Sequence, residues 1–120
     1  MEQINRIELR GIIGHVKVQK IQDLSMARLS VATNYAYKDR NGTPIIETTW
    51  HDVVAWEGKD ISASTLAELS RGDSVYVTGR LRGIRYTNSD GEERTAPQVY
   101  AHKLTKIENA GTMQTEVNND

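Results

Sequence analysis

Residues 27–56 of the chain, ARLSVATNYAYKDRNGTPIIETTWHDVVAW, carry the clearest fold signal. Residues 27–37 alternate apolar side chains such as Leu29 with polar ones, which is the period of a half-buried strand. A polar run follows and ends in Asn41-Gly42, a pair that favours the positive φ angles of a tight hairpin turn. Residues 45–56 are again rich in β-branched side chains. The stretch therefore predicts an antiparallel hairpin.

The segments on either side of this hairpin predict more β structure. Gly11 and Gly14 indicate a bulge or bend near the start, and Gly79 indicates a kink in a later strand. The polar run at residues 88–91 ends in glycine and predicts a second hairpin turn. The predicted strand segments outside the first hairpin cover residues 4–14, 15–21, 74–84 and 98–107.

One short helix is predicted, over residues 63–69. Asp60 or Ser62 can cap it, Arg71 would complement its dipole, and Gly72 would end it. With the segments at residues 4–14 and 15–21 counted together, the order is five strands with a helix after the third, which is the topology of a small Greek-key barrel, the OB-fold. We therefore predict an all-β protein with one short helix, built as a five-stranded Greek-key OB-fold barrel with extended hairpins.

Length and composition predict a single barrel domain over residues 1–107, followed by a short, polar, disordered tail over residues 108–120. The chain has no cysteine, which excludes disulfides, thiolate nucleophiles and cysteine-ligated metals. No apolar run approaches the roughly 20 residues of a membrane span, so we expect a cytoplasmic protein without membrane contact. Glu108, Glu116 and Asp120 lie in the tail, which leaves the barrel mildly basic although the net charge is -1.

No catalytic constellation is recognisable in the sequence. His51 adjoins Asp52, but neighbours in a strand face opposite ways and cannot easily cooperate as a base and its partner. His15 and His102 are isolated, and no metal-ligand spacing or glycine-rich phosphate loop occurs. We therefore expect a protein that is not an enzyme and has no cofactor or metal.

Four blocks of sequence resemble the bacterial single-stranded DNA-binding protein family. They are TTWHDVVAW at residues 48–56, RGDSVYVTGRLR at residues 71–82, NRIEL at residues 5–9 and LSVATN at residues 29–34. The blocks occur in the family's order and near its spacing, and the resemblance covers residues 4–107. It implies an OB-fold that binds and protects single-stranded DNA during replication, recombination or repair, and that occupies the nucleoid.

The resemblance places the family's four base-stacking aromatics on Tyr37, Trp50, Trp56 and Tyr86. Basic residues beside these rings are candidates for phosphate contacts; they are Lys38, Arg40, Lys59, Arg82, Arg85 and Arg94, with Arg6 and Arg10 as weaker candidates. Flat rings and cations along a groove are what binding an unpaired strand without reading its sequence requires. Trp50 and Trp56 share parity and can face the same way.

Each site residue has a competing structural interpretation. An aromatic on a barrel strand is often part of the core, and we prefer that interpretation for Tyr35, Tyr76 and Tyr100. Tyr37 and Tyr86 adjoin polar turns, where a buried ring would be poorly covered. Exposed lysines and arginines are usually only solvated charges, so their assignment depends on the neighbouring aromatics.

Two departures from the family pattern affect the expected partners. Family members continue into a long linker with an acidic, hydrophobic tip that recruits replication and repair proteins, whereas residues 108–120 contain neither, so recruitment through the tail is not expected. The segment after Gly14 also differs from the family's loop and predicts an extended first hairpin. The resemblance implies a homotetramer, a dimer of dimers, in which first strands pair and hide the edge at Ile7 and Leu9.

Two rival functions remain beside DNA protection. One is a replication-restart or mobile-element accessory protein of the same fold that acts mainly through protein contacts. The other is a nuclease or deaminase on a barrel, which would need clustered carboxylates or a His-x-Glu and cysteine zinc signature that the sequence lacks.

Overall fold

The computed structural model describes residues 2–107 and confirms the predicted barrel. Its elements are β1 (Ile7–Ile21), β2 (Leu24–Lys38), β3 (Pro44–Trp56), α1 (Ala63–Ala67), β4 (Ser74–Thr87) and β5 (Glu93–Ile107). The strands close in the order β1-β2-β3-β5-β4, with β3 and β5 parallel and the other neighbours antiparallel. Residues 108–120, for which we predict a polar tail, lie outside the described residues.

β1 is one continuous strand, where the sequence predicted two segments. Residues 7–12 pair with β4 and residues 12–21 pair with β2, and the register shifts between Ile13 and His15. The bulge at Gly14 bends the strand from one neighbour to the other, as the glycine predicted. The Leu9 side chain is buried in the core, and over residues 7–11 the part of the chain described here pairs β1 only with β4.

The two later hairpins use the same turn. Gly42 and Gly91 have φ angles of +80° and +81°, a conformation that glycine adopts without a steric penalty. In each turn one side-chain oxygen, Oδ1 of Asp39 or of Asn88, accepts two backbone N–H groups. The strands reach further toward these turns than predicted, because the β4–β5 ladder continues to Thr87 and Glu93.

The first hairpin extends to a two-residue turn at Gln22 and Asp23, whose φ angles of 52° and 71° are both positive. Ile21 pairs directly with Leu24 across it. This pattern belongs to the tight turn that suits the twist of two antiparallel strands. The extended first hairpin is thus confirmed, and it begins β2 three residues earlier than predicted.

The barrel encloses an apolar core, and α1 closes one end of it. Ser62 caps α1 by accepting the Thr65 N–H at 3.1 Å, and Leu66 of the helix is fully buried. The helix ends at Ala67, so the predicted role of Arg71 at its dipole was wrong. Among residues 2–107 no helix is long and apolar enough to cross a membrane. The core residues are Leu9, Ile13, Ala27, Leu29, Val31, Val53, Ala55, Ile61, Leu66, Leu69, Val75, Val77, Val99, Ala101 and Leu104.

Gly79 permits a close approach between β4 and β5. A Cβ at this position would lie 2.1 Å from the carbonyl oxygen of Tyr100, far inside van der Waals contact. The register between the two strands shifts at Thr78 and Gly79, which confirms the predicted kink. The kink lets β4 curve around the core while its later residues continue as one arm of the long β4–β5 hairpin.

Candidate nucleic-acid interface

The outer face of β3 carries the two tryptophans. Val53 and Ala55 point into the core, so the alternation of the strand turns Trp50, Asp52, Val54 and Trp56 outward. Trp50 is 61% exposed, and Trp56 is half-buried. Six residues of strand separate them by about 20 Å. The two rings therefore lie at opposite ends of the outward face of β3, and this face between the rings is called the groove below.

Gly14 makes room for the Trp50 ring. A Cβ at residue 14 would lie 2.3 Å from Cζ3 and 2.7 Å from Cη2 of Trp50. The six-membered ring of the indole thus lies directly against the β1 backbone at the bulge, while most of the side chain stays exposed. His15, Lys17 and Arg28 line the same depression beside the ring.

The tyrosines at the hairpins are divided between two faces. Tyr86 shares its parity on β4 with Arg80 and Arg82, which face outward with Trp50. Tyr37 pairs with Ile45, on the opposite face of the β2–β3 ribbon from Trp50. Both tyrosines are about half exposed, as predicted. A single strand contacting all four aromatics would therefore have to pass around the β2–β3 ribbon.

Tyr35 was wrongly predicted to belong to the core. It is 66% exposed, and its ring centroid lies 5.9 Å from that of Tyr37. The parity of Leu29 and Val31 continues to both rings, but here β2 extends past the barrel and no layer formed by residues 2–107 covers it. The two tyrosines form an aromatic pair near the end of β2.

The predicted phosphate-binding cations differ in their partners. Arg85 forms an ion pair with Glu93, and Arg94 Nη2 lies 2.7 Å from Glu92 Oε1. These exposed pairs contribute about 0–1 kcal/mol, so a phosphate can replace the carboxylate, but they leave the β4–β5 tip without excess positive charge. Within residues 2–107 no salt bridge involves Lys38, Arg40, Lys59 or Arg82.

A row of polar side chains crosses the outer face between the tryptophans. Arg28 donates to both carboxylate oxygens of Asp52, at 3.2 and 3.1 Å, which raises the pKa of Arg28. Gln98 Nε2 donates to Asp52 at 3.1 Å, and Gln98 Oε1 accepts from Arg82 Nε at 3.2 Å and Nη2 at 2.9 Å. Residues on β2, β3, β5 and β4 are thereby linked, and the Asp52 charge is compensated within the groove.

Tyr100 was also wrongly predicted to be core. Val99 and Ala101 take the buried positions of β5, so Tyr100 faces outward and is half-buried. The guanidinium carbons of Arg80 and Arg82 each lie 4.7 Å from its ring centroid. The alternation of small apolar residues around Tyr100 was the signal that could have revealed this orientation.

Tyr76 corrects the third core prediction. It is half-buried on the β1–β4 side, donates its hydroxyl hydrogen to Glu8, and has Arg10 5.8 Å above its ring. The hydrogen bond to Glu8 holds the pKa of the Tyr76 hydroxyl above its usual value. Because Glu8 and Arg10 already contact the Tyr76 ring and its hydroxyl, we do not count Tyr76 among the stacking residues.

His51 and Asp52 point to opposite faces, as the strand alternation predicted. His51 Nε2 lies 2.9 Å from Thr33 Oγ1, and partial burial lowers the pKa of the imidazole. Asp52 is bound to Arg28 and Gln98 on the other face. The pair is not arranged for general-base chemistry, and within residues 2–107 no group of three His, Asp or Glu side chains could hold a metal.

Comparisons with known proteins bear on the family and the fold of the barrel. The profile of the single-strand binding protein family matches residues 4–107. A "Single-stranded DNA-binding protein" of Xanthomonas axonopodis pv. citri is 34% identical over 110 residues, covering 90% of this chain and 60% of its own length. "Single-stranded DNA-binding protein 1" of Xylella fastidiosa is 31% identical over 111 residues, covering 89% and 79%.

A solved structure, a Plasmodium falciparum complex of this family with single-stranded DNA, shares the fold. Its TM-score is 0.74 at 23% identity, and the match covers 90% of this chain and 98% of that one. The chain spans 60–63% of the length of the two Xanthomonas relatives. The family match spans every strand of the barrel, and the chain belongs to the single-strand binding protein family.

Proposed function

We propose that this chain binds single-stranded DNA without reading its sequence and protects it during replication, recombination or repair. The observation that carries the proposal is the 61% exposed Trp50 ring, which lies against Gly14. It shares a face with Trp56 and with Arg80 and Arg82, which form no salt bridge within residues 2–107. An indole that contacts the backbone through two ring atoms and is otherwise largely exposed has aromatic surface free for a base. Bases are available for stacking only in an unpaired strand.

The names of the relatives support the same activity. Several of them are called single-stranded DNA-binding proteins, and the Plasmodium falciparum structure is a complex with single-stranded DNA. Stacking tolerates any base, because every base has a π face, and the phosphates supply the remaining attraction. We accordingly propose a binding protein that acts by stacking and charge, in the cytoplasm at the nucleoid.

We also propose that the chain assembles as a homotetramer, a dimer of dimers. Residues 7–11 of β1 pair on one side with β4, which leaves the other backbone edge for a second copy. Isologous pairing of such an edge is a common way to close a dimer. Sedimentation equilibrium tests this: a tetramer mass supports it, and a monomer at micromolar concentration contradicts it.

Anisotropy of fluorescein-labelled oligo-dT tests the binding proposal. We expect saturable binding that unlabelled strands of mixed sequence compete away and duplex of equal length does not. Trp50→Ala should weaken binding by about 1–3 kcal/mol for each base it stacks, with the salt dependence unchanged. Tyr76→Leu is the matched control, because it removes a ring that lies outside the groove and is already covered by Arg10. Failure to bind any nucleic acid would contradict the proposal and favour a barrel that acts through protein contacts.

A further inference from the structure

Tyr100 lies beside the middle of the groove between the tryptophans. It pairs with Val54 of β3, which stands between Trp50 and Trp56 on the outward face. Val54 points outward and is nevertheless only 5% exposed. Its cross-strand neighbours are Arg28 on β2 and Tyr100 on β5. A strand running from one tryptophan to the other must cross this position.

Two arginines are held against the Tyr100 ring. Arg80 and Arg82 each place the guanidinium carbon 4.7 Å from the ring centroid, within the range of a cation–π interaction. The Gln98 oxygen holds Arg82 through two N–H groups, and the Nε2 atom of His102 lies 3.3 Å from Arg80 Nη1. Both guanidinium groups are therefore oriented before any ligand arrives.

Neither arginine has an acidic partner among the described residues. Asp52 is the nearest acid of the polar row, and its oxygens are taken by Arg28 and Gln98. Arg10 on Tyr76 is different, since Glu8 is bonded to that same tyrosine. Two uncompensated cations on one ring create a local excess of positive charge that favours an anion.

We propose that Arg80 and Arg82, positioned by Tyr100, form a phosphodiester subsite midway between Trp50 and Trp56. The inference rests on the proposed function and adds to it Arg80 and Tyr100, which sequence reasoning left out. The guanidinium N–H groups donate to phosphate oxygens of the strand while its bases stack on the tryptophans. Tyr100 is a positioning residue: its ring fixes the arginines.

The test is the salt dependence of oligo-dT binding. Each phosphate contact in a single strand contributes about 0.7 to the slope of log K against log salt. Arg80→Gln and Arg82→Gln should each lower the magnitude of the slope by about 0.7. The ratio of the parent's affinity to each variant's affinity should therefore fall about 2.6-fold between 50 and 200 mM salt. Arg71→Gln, which removes an exposed arginine in the turn before β4, outside the groove, should leave the slope unchanged.

Variants of Tyr100 test its positioning role. Tyr100→Phe keeps the ring and should bind like the parent, whereas Tyr100→Leu should weaken binding. In the background of both arginine substitutions, Tyr100→Leu should have no further effect. An additional loss there would mean that the ring stacks a base itself, and would overturn the positioning role.

The outcomes separate this inference from the proposed function. If the parent protein fails to bind oligo-dT, both are overturned. If the parent binds with a normal salt slope and both arginine variants keep that slope, the subsite is overturned while the proposed function stands. A thermal unfolding midpoint equal to the parent's verifies for each variant that the comparison is made between folded proteins.

Discussion

Replacing Gly14 by alanine should weaken DNA binding without lowering the stability of the fold. The φ angle of Gly14 lies outside the left-handed region, so alanine can adopt the same backbone. The new methyl group would lie 2.3 Å from Cζ3 of Trp50 and 3.4 Å from Oγ of Ser30. The serine contact is ordinary, and only the indole has to move.

The required displacement follows from these distances. Ordinary van der Waals contact begins near 3.4 Å, so the indole must retreat by about 1 Å from a 2.3 Å approach. Trp50 is largely exposed, and its ring can swing outward without disturbing the core. Loss of glycine entropy in the unfolded chain stabilises the variant by about 0.4–1 kcal/mol, which offsets the lost contact. The base that stacks on Trp50 loses part of its stacking free energy, which is about 1–3 kcal/mol.

The assays are urea unfolding and oligo-dT anisotropy on the same preparations. We expect an unchanged or slightly higher free energy of unfolding together with about 3- to 10-fold weaker binding, a share of the stacking energy. In the Trp50→Ala background, Gly14→Ala should have no further effect on affinity, because the ring it displaces is gone.

Two results would refute this reasoning. Parent-like affinity of Gly14→Ala would show that the position of the Trp50 ring does not matter for the strand. An equal loss of affinity in the presence and absence of Trp50 would show that residue 14 acts through another route.

Three further predictions concern stability. Gly79→Ala should destabilise the barrel by about 1–3 kcal/mol, measured by urea unfolding, because the clash at 2.1 Å is with backbone; an unchanged midpoint would contradict the close approach. Gly42→Ala should cost about 1–2 kcal/mol because φ is +80°, whereas Gly58→Ala, with open space and no positive φ, should not destabilise. Burial lowers the pKa of His51 below its unfolded value near 6.5, so the stability that the neutral imidazole contributes is complete above that pH and declines below it. His51→Gln should therefore reduce the decline in the free energy of unfolding between pH 7.5 and 5.5. The same pH profile of unfolding in the variant and the parent would contradict this prediction.

Features with local causes could be predicted from the sequence. The turns at Gly42 and Gly91 depend on glycine at a positive φ beside an Asx side chain, and all the residues involved are consecutive. The outward orientation of Trp50 and Trp56 follows from alternation within one strand. The resemblance of the four sequence blocks to the family then supported the predicted barrel topology.

Features that depend on pairing between distant segments could not be predicted. β1 runs unbroken past Gly14 because β4 and β2 take over its two halves, and no local pattern shows this. The stacking of Arg80 and Arg82 on Tyr100 depends on the β4–β5 register. Tyr35 follows the core parity but lies beyond the barrel, so its exposure depends on where the opposing layer ends.

The most direct test of the central claim is a titration of intrinsic tryptophan fluorescence with oligo-dT and with duplex DNA at moderate salt. Trp50 and Trp56 are the chain's two tryptophans, so the signal reports on the proposed groove alone. We predict saturable quenching by oligo-dT and none by duplex, with the quenching reduced in both Trp50→Phe and Trp56→Phe. Oligo-dT binding without any change in fluorescence, or equal quenching by duplex, would contradict the account.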